Sequence, residues 1–128
     1  MPKRAFLSFK MEDKKQVDGV RLMAWSAHVP LDFYDESVRV PYDSTNAEYI
    51  RRKITEKIRR CSITVGFLKE RTYESKWVSW ELQKSRELGK EILLMGLPGH
   101  PDTLRLPSSV GDLSWHIWDP DYLTKRLE

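Results

Sequence analysis

Short, almost wholly apolar runs alternate with amphipathic segments along this chain, and that alternation constrains the fold more than any other feature. The run 5–9 (Ala-Phe-Leu-Ser-Phe) and the run 92–95 (Ile-Leu-Leu-Met) contain a single polar residue between them. Runs of this kind are typical of strands buried on both faces, which occur in parallel sheets covered by helices. The pattern therefore predicts an α/β domain of the flavodoxin-like, three-layer type, with a parallel sheet of about five strands and helices on both faces.

Apolar spacing and turn signals divide the rest of the chain into elements. Strands are predicted at residues 4–9, 31–35, 61–68, 91–97 and 114–118. Helices are predicted at residues 17–27, ending at Pro30, at 47–58, at 75–88 and at 122–127. The loop 36–44 and the Pro/Gly-rich connection 98–111 complete the chain. Residues 1–128 are therefore expected to form a single domain, since the chain is too short for two ordinary ones.

Several helix ends carry recognisable signals. Thr45 precedes Glu48 by three residues, which is the spacing of a capping box. Ser75 can cap the third helix, and Gly89 can terminate it. The second helix is the clearest of all, because its apolar residues share one helical stripe: Ala47, Ile50, Ile54 and Ile58.

Composition narrows the class of protein. Hydrophobic residues make up 40% of the chain, which is enough for a core and excludes a disordered protein. No stretch approaches the roughly 18 to 20 apolar residues of a membrane span, and the first residues do not resemble a signal peptide. Cys61 is the only cysteine, so no internal disulfide can form and a reducing compartment is favoured. A cytoplasmic location is the expectation.

The charge distribution does not by itself indicate nucleic acid. The net charge is +3, from 22 basic and 19 acidic side chains. The most basic segment, 51–60, lies on the second predicted helix. A solvated face is favoured there over a phosphate-binding patch, because no aromatic residue is interleaved with the basic ones. Neither a nucleic-acid nor a membrane partner is expected.

Most of the familiar catalytic and binding motifs are missing from the sequence. It contains no P-loop, no GxGxxG, no HExxH and no paired-cysteine spacing, so no metal site is expected. The histidines His28, His100 and His116 are scattered, and Cys61 enters an apolar strand. A nucleophilic Cys/His pair is conceivable, but nothing in the spacing supports it.

The informative segment is 74–82 (Glu-Ser-Lys-Trp-Val-Ser-Trp-Glu-Leu). Trp77 and Glu81 are four residues apart and share a helix face, with Trp80 beside the acid. A carboxyl group among tryptophans is partly desolvated, which raises its pKa and suits it to a functional site. A surface glutamate paired with Lys84 or Lys76, beside two core tryptophans, explains the same spacing. Spacing alone leaves both interpretations open.

The order of elements, together with two motifs, resembles the Toll/interleukin-1 receptor (TIR) domain family. The motifs are 6–9 (Phe-Leu-Ser-Phe), which resembles the opening strand of TIR domains, and 75–82 (Ser-Lys-Trp-Val-Ser-Trp-Glu-Leu). The second resembles the Trp-x-x-x-Glu-[Leu/Ile] helix of TIR domains that cleave NAD. The similarity covers residues 4 to about 96 and is closest to the TIR component of the bacterial Thoeris anti-phage system, the ThsB type.

This resemblance implies functional residues in two groups. Glu81 takes the catalytic position, and Trp77 is expected to form an aromatic wall facing the cleft, whereas Trp80 lies toward a different face. The other implied substrate-binding residues stand at strand ends. Ser8, Phe9 and Lys10 lie at the end of the first strand, and Asp35 and Ser37, which correspond by position only, lie at the end of the second. The loop 36–44 lacks the glycine-centred pattern of receptor-type TIR domains, so the mode of self-association stays open.

The resemblance also implies an enzyme that breaks the nicotinamide–ribose bond of NAD, with NAD as substrate and without a cofactor or metal. A carboxylate near the ribose can stabilise an oxocarbenium-like state, because the pyridine leaving group is already cationic. Water or a second atom of the nucleotide can then attack, giving a hydrolysed or a cyclised ADP-ribose product. In antiviral defence such a product would be a signal for a separate effector, made when the domain self-associates.

Two other functions compete with the enzyme. A non-catalytic TIR-like module that recruits partners would share this fold, because fold does not fix function. A phosphoacceptor receiver shares the layout as well, but it needs an Asp at the end of the third strand. Residues 66–69 (Gly-Phe-Leu-Lys) supply none, so this second alternative is disfavoured.

Overall fold

The strands build one parallel sheet. The computed structural model describes residues 3–26, 31–32 and 41–128, with the side chains of 3–22 and 41–128. Within these residues the strands are β1 (Ala5–Ser8), β2 (Leu31–Asp32), β3 (Ile63–Leu68) and β4 (Glu91–Gly96). They pair in parallel in the order β2-β1-β3-β4. The predicted α/β class with a parallel sheet is confirmed.

Four α-helices flank the sheet: α1 (Lys14–Ser26), α2 (Ala47–Arg60), α3 (Lys76–Glu87) and α4 (Pro120–Arg126). Short 3₁₀ turns precede two of them, at Met11–Asp13 and Thr72–Glu74, and a third lies at Ser108–Val110. Across the described residues, no helix is both long and apolar enough to cross a bilayer.

Alternate residues of the strands supply two separate cores. On one face, Leu7, Val65 and Met95 pack with α1 and α4. On the other face, Phe6 packs with the apolar stripe of α2, and Leu68 and Leu94 pack with α3. The stripe is the predicted one: Ala47, Ile50, Ile54 and Ile58. The helices therefore cover both faces, as the near-continuous apolar strands require.

The predicted fifth strand is reduced to one bridge. His116 pairs with Met95 of β4, with its N–H donating to the Leu94 carbonyl oxygen at 2.7 Å. Two residues later the chain leaves the sheet, because the Trp118 N–H donates to His100 Nε2 at 3.0 Å. The expected strand at 114–118 is therefore wrong, and the described sheet has four strands.

Two helix-end signals are confirmed and one is wrong. Ser75 Oγ accepts from the Val78 N–H at 3.1 Å and caps α3. Gly89 follows α3 with φ +71°, the left-handed conformation that glycine adopts without strain. The capping box of Thr45 and Glu48 does not form. Helix α2 begins one residue after Asn46, which makes no side-chain cap bond, and Glu48 instead pairs with Arg51 at 3.4 Å.

Candidate active site at the end of the first strand

Glu81 is a buried acid on the sheet-facing side of α3. Its side chain is 4% exposed, and it shares a buried stripe with Trp77, Val78, Leu82 and Ser85. Ser8, the last residue of β1, donates its hydroxyl hydrogen to Glu81 Oε1 at 2.6 Å. The short bond joins the two family-like motifs, which are 73 residues apart in the sequence. It places the acid at the carboxyl end of β1, the edge where ligands of such sheets bind.

A glycine in β3 leaves room for leucine side chains between α3 and the sheet. Gly66 is paired with Ser8 across the β1–β3 ladder. A Cβ atom added to Gly66 would lie 2.9 Å from Leu94 Cδ2 and 3.2 Å from Leu82 Cδ2. Leu82 follows Glu81 directly, so a side chain at position 66 would require the leucine side chains packed beside the acid to shift.

A second polar link fixes α3 one turn beyond Glu81. The hydroxyls of Thr64 and Ser85 lie 2.7 Å apart, and Ser85 Oγ donates to the backbone carbonyl oxygen of Glu81 at 2.8 Å. Ser8, Thr64 and Ser85 are all fully buried. Burying a hydroxyl group is costly unless it is hydrogen-bonded. These links therefore favour one distance of α3 from the sheet and one rotation of α3 about its own axis.

Burial changes the acidity of Glu81. Desolvation raises the pKa of its carboxyl group from 4.5 to about 8, and the hydrogen bond from Ser8 opposes that rise. In the free protein at neutral pH the carboxyl group is therefore mostly protonated. A buried acid that titrates close to neutral pH can act as an acid or, once ionised, as a negative charge.

The raised pKa predicts a pH-dependent stability. Because the folded state holds this proton more tightly than the unfolded state, the contribution of Glu81 is fully present below about pH 4.5 and is lost as pH rises to about 8. The free energy of unfolding can change by at most about 1.4 kcal/mol per pH unit from this one group. Glu81→Gln lacks this titration. The free energy of unfolding of the variant, measured in urea relative to that of the parent, should therefore increase from pH 5 to 9. Parallel pH profiles for the two proteins would contradict the assignment.

The two tryptophans of α3 differ in burial. Trp77 is 9% exposed and packs with Phe6 and the apolar stripe of α2, and its ring meets Tyr42 edge-on at 5.2 Å. Trp80 is only half-buried and lines two surface grooves of about 220 Å³ and 560 Å³, neither of which includes Glu81. Trp77 is therefore the more deeply packed of the two, and its role as an aromatic wall stays a prediction. Helix α2 lies over the face that holds Trp77, and the sequence of α3 alone does not show this.

The remaining predicted site residues are placed in different ways. Phe9 belongs to the core under α1 and α4, so its side chain points away from the face that holds Glu81. Lys10 is half-buried beyond the end of β1, with ion pairs to Glu12 at 3.3 Å and Glu74 at 3.9 Å. The other two predicted residues, Asp35 and Ser37, lie outside the described residues.

Asp13 is a candidate functional residue that the sequence analysis did not single out. It lies in the 3₁₀ turn after β1 and is 8% exposed. Within the described part of the chain, its Oδ2 atom has no hydrogen-bond partner. Desolvation and the nearby carboxylate of Glu12 raise its pKa, and Lys69 opposes this. Its place just beyond a buried strand, at the ligand-binding edge, was the available signal.

No nucleophilic Cys/His pair forms among the described residues. Cys61 is buried just before β3, at the amino end of the sheet. His100 follows the carboxyl end of β4, and His116 bridges to that strand. His28 lies outside the described residues. In the same described ranges, no group of three or more His, Cys, Asp or Glu side chains could hold a metal ion.

Solved structures define the class of fold. The TIR domains of the activated Roq1 resistosome align with a TM-score of 0.66 and 14% identity, covering 96% of this chain and 95% of that one. The TIR domain of the Toll-related receptor TRR-2 from Hydra magnipapillata aligns with a TM-score of 0.62 and 13% identity, covering 96% and 90%. At this identity the likeness concerns the fold alone, which is that of a TIR domain.

The family follows from the sequence itself. Residues 6–102 match the family described as Thoeris protein ThsB, TIR-like domain, and the chain therefore belongs to that family. None of the curated proteins compared with the chain matches it significantly. A third solved structure, the CMP N-glycosidase BcmB of Clostridium botulinum, aligns with a TM-score of 0.60 and 17% identity, covering 98% of both chains.

Proposed function

We propose that this TIR-like domain cleaves the nicotinamide–ribose bond of NAD and that Glu81 is its catalytic residue. The observation that carries the proposal is the buried carboxyl group of Glu81, held by Ser8 at the carboxyl end of β1. Membership of the ThsB family supports it, because the matched region contains both motifs. The buried polar residues under α3 hold this acid in place before any substrate arrives.

The proposed reaction balances without an added general acid. The C–N bond breaks with its electron pair going to the cationic pyridine, which leaves as neutral nicotinamide. The positive charge that develops on the ribose is stabilised by ionised Glu81. The approach of cationic nicotinamide favours the ionised carboxylate and so opposes the desolvation that raises its pKa. Water or a second nucleophilic atom of the same nucleotide then adds to the ribose and completes the turnover.

A second candidate substrate is a pyrimidine nucleotide. The solved structure of similar length is named a CMP N-glycosidase, which breaks a base–ribose bond. Cytosine leaves as a neutral base only if it receives a proton, and a carboxyl group with a pKa of about 8 carries one at neutral pH. The same residue thus fits two related reactions in two protonation states.

The pH dependence of the rate separates these two substrates. For NAD, kcat/KM should rise with pH and level off above about pH 8, because the ionised form of Glu81 acts. For CMP it should instead fall above that pH. Purified protein incubated with each nucleotide from pH 6 to 9, with released nicotinamide or cytosine measured by chromatography, tests both. Release of neither base, by dilute or concentrated protein, would contradict the enzyme.

The proposal extends to regulation and signalling. By family likeness, the domain should self-associate to complete its site in the cytoplasm during antiviral defence, and its product, hydrolysed or cyclic, should be read by a separate effector. Dilute protein is then expected to be nearly inactive and to gain turnover per chain as its concentration rises. Sedimentation measured beside nicotinamide release checks this. Full turnover by a sedimenting monomer would count against it.

A non-catalytic interaction module is the alternative function, and one observation favours it. Trp77 packs with Phe6 and the apolar stripe of α2, as a tryptophan that serves only stability would. In such a module, Glu81 would serve only to hold α3 on β1 through Ser8. The substitution of Glu81 argued in the Discussion separates this alternative from the enzyme.

A further inference from the structure

The outer surfaces of α2 and α3 form a groove of about 560 Å³, within the size range of small-molecule sites. Its cationic lining is Arg51, Arg52, Arg59 and Lys84. Arg51 is already paired with Glu48 at 3.4 Å, and Lys84 with Glu87 at 2.8 Å. For Arg52 and Arg59, no ion-pair partner occurs within the described part of the chain. Among the described residues, two guanidinium groups of the groove are therefore not held in ion pairs.

Trp80 supplies an aromatic surface at the same groove. Trp80 is half-buried and lines the groove. The centroid of its ring lies 6.3 Å from that of Trp77, in an edge-to-face arrangement, and 5.7 Å from Lys84 Nζ. Segment 51–60 contains no aromatic residue in its sequence, but α3 places one beside it in space. Basic side chains next to a fixed aromatic ring are the combination that binds phosphate and a stacked base.

We propose that this groove is a nucleotide-binding site separate from the Glu81 site, with the ligand's phosphates on Arg52 and Arg59 and its base on Trp80. The two arginines are seven positions apart, which is about two helical turns or about 10.5 Å along α2. An elongated di- or triphosphate can reach both. Guanidinium groups bind phosphate oxygens through paired hydrogen bonds, which an ammonium group does not reproduce.

The acidic residues of the groove favour a nucleotide over an acidic peptide. Glu48 and Glu56 line the groove between the cations. They would repel carboxylates and phosphates alike, but a nucleotide also has ribose hydroxyls, which can donate hydrogen bonds to them, and an acidic peptide has no such groups. Glu81 is absent from the lining of the groove, so binding there would leave the proposed catalytic carboxyl group free.

Neighbouring arginines on α2 provide a matched test. Arg59→Ala and Arg60→Ala remove the same charge from consecutive exposed positions, but only Arg59 lines the groove. Calorimetric titration with ATP should show at least about a tenfold loss of affinity in Arg59→Ala, since a charge-assisted bond is lost. Arg60→Ala should stay within about twofold of the parent. Titrations with tripolyphosphate and with adenosine measure the contributions of phosphate and base.

Several outcomes decide the proposal. The difference between the two variants should persist in 150 mM salt, a condition that weakens unspecific charge attraction. Tripolyphosphate should bind more weakly than ATP, and Trp80→Ala should remove that advantage. Equal losses in Arg59→Ala and Arg60→Ala would overturn the site, because they would mean unspecific attraction. Failure of the folded parent to bind ATP would also overturn it, as would tighter binding of a poly-Glu peptide.

Discussion

Replacing Glu81 with Gln should lower NAD turnover by about a hundred-fold or more while leaving the protein folded. The side chain keeps its size and can still accept the hydrogen bond from Ser8, which is 2.6 Å long in the parent. The substitution removes only the ability to carry a negative charge beside the ribose. Loss of one preorganised electrostatic group in an active site has an effect of this size.

The matched control is Glu87→Gln, the same chemical change on the exposed side of α3, where Glu87 pairs with Lys84 at 2.8 Å. Turnover in this variant should match the parent. Nicotinamide release at fixed protein concentration and circular dichroism of all three proteins complete the comparison. A folded Glu81→Gln protein with unchanged turnover would remove the catalytic assignment, and the interaction module would become the better explanation.

Replacing Trp77 with Ala should lower the free energy of unfolding by about 3 to 5 kcal/mol. Trp77 fills the space between Phe6 and the apolar stripe of α2, so its truncation leaves a cavity between α2, α3 and the sheet. A loss of this size is a large part of the stability of a small domain. The protein should therefore melt far below the parent.

Trp80→Ala is the companion variant, and its effect should be much smaller. Trp80 is half-buried and only borders the same cluster, so water can occupy much of the vacated space. Thermal melting of the parent and both variants, under the same buffer conditions, measures the difference. If Trp80→Ala were the less stable of the two variants, the packing described for α3 would be incorrect.

The sequence alone predicted the architecture and pointed to Glu81, the buried acid of the candidate site. Near-continuous apolar runs predicted parallel strands, because a strand buried on both faces has no polar alternation. The cap at Ser75 and the terminator at Gly89 are local signals, and both were found in the structure. Spacing left the role of Glu81 open, and it was the resemblance of residues 75–82 to the helix of NAD-cleaving TIR domains that singled it out.

The tertiary structure decided what surrounds that residue. Periodicity shows which residues of a helix share a face, but it does not show which element covers each face or how closely. Gly66 leaves room for Leu82 of α3 against the sheet, and the position of α2 makes Trp77, not Trp80, the core tryptophan. The same placement brings Trp80 to the groove that Arg59 also lines, although no aromatic residue is near Arg59 in the sequence. Contacts between distant segments depend on packing, and packing is a property of the whole domain.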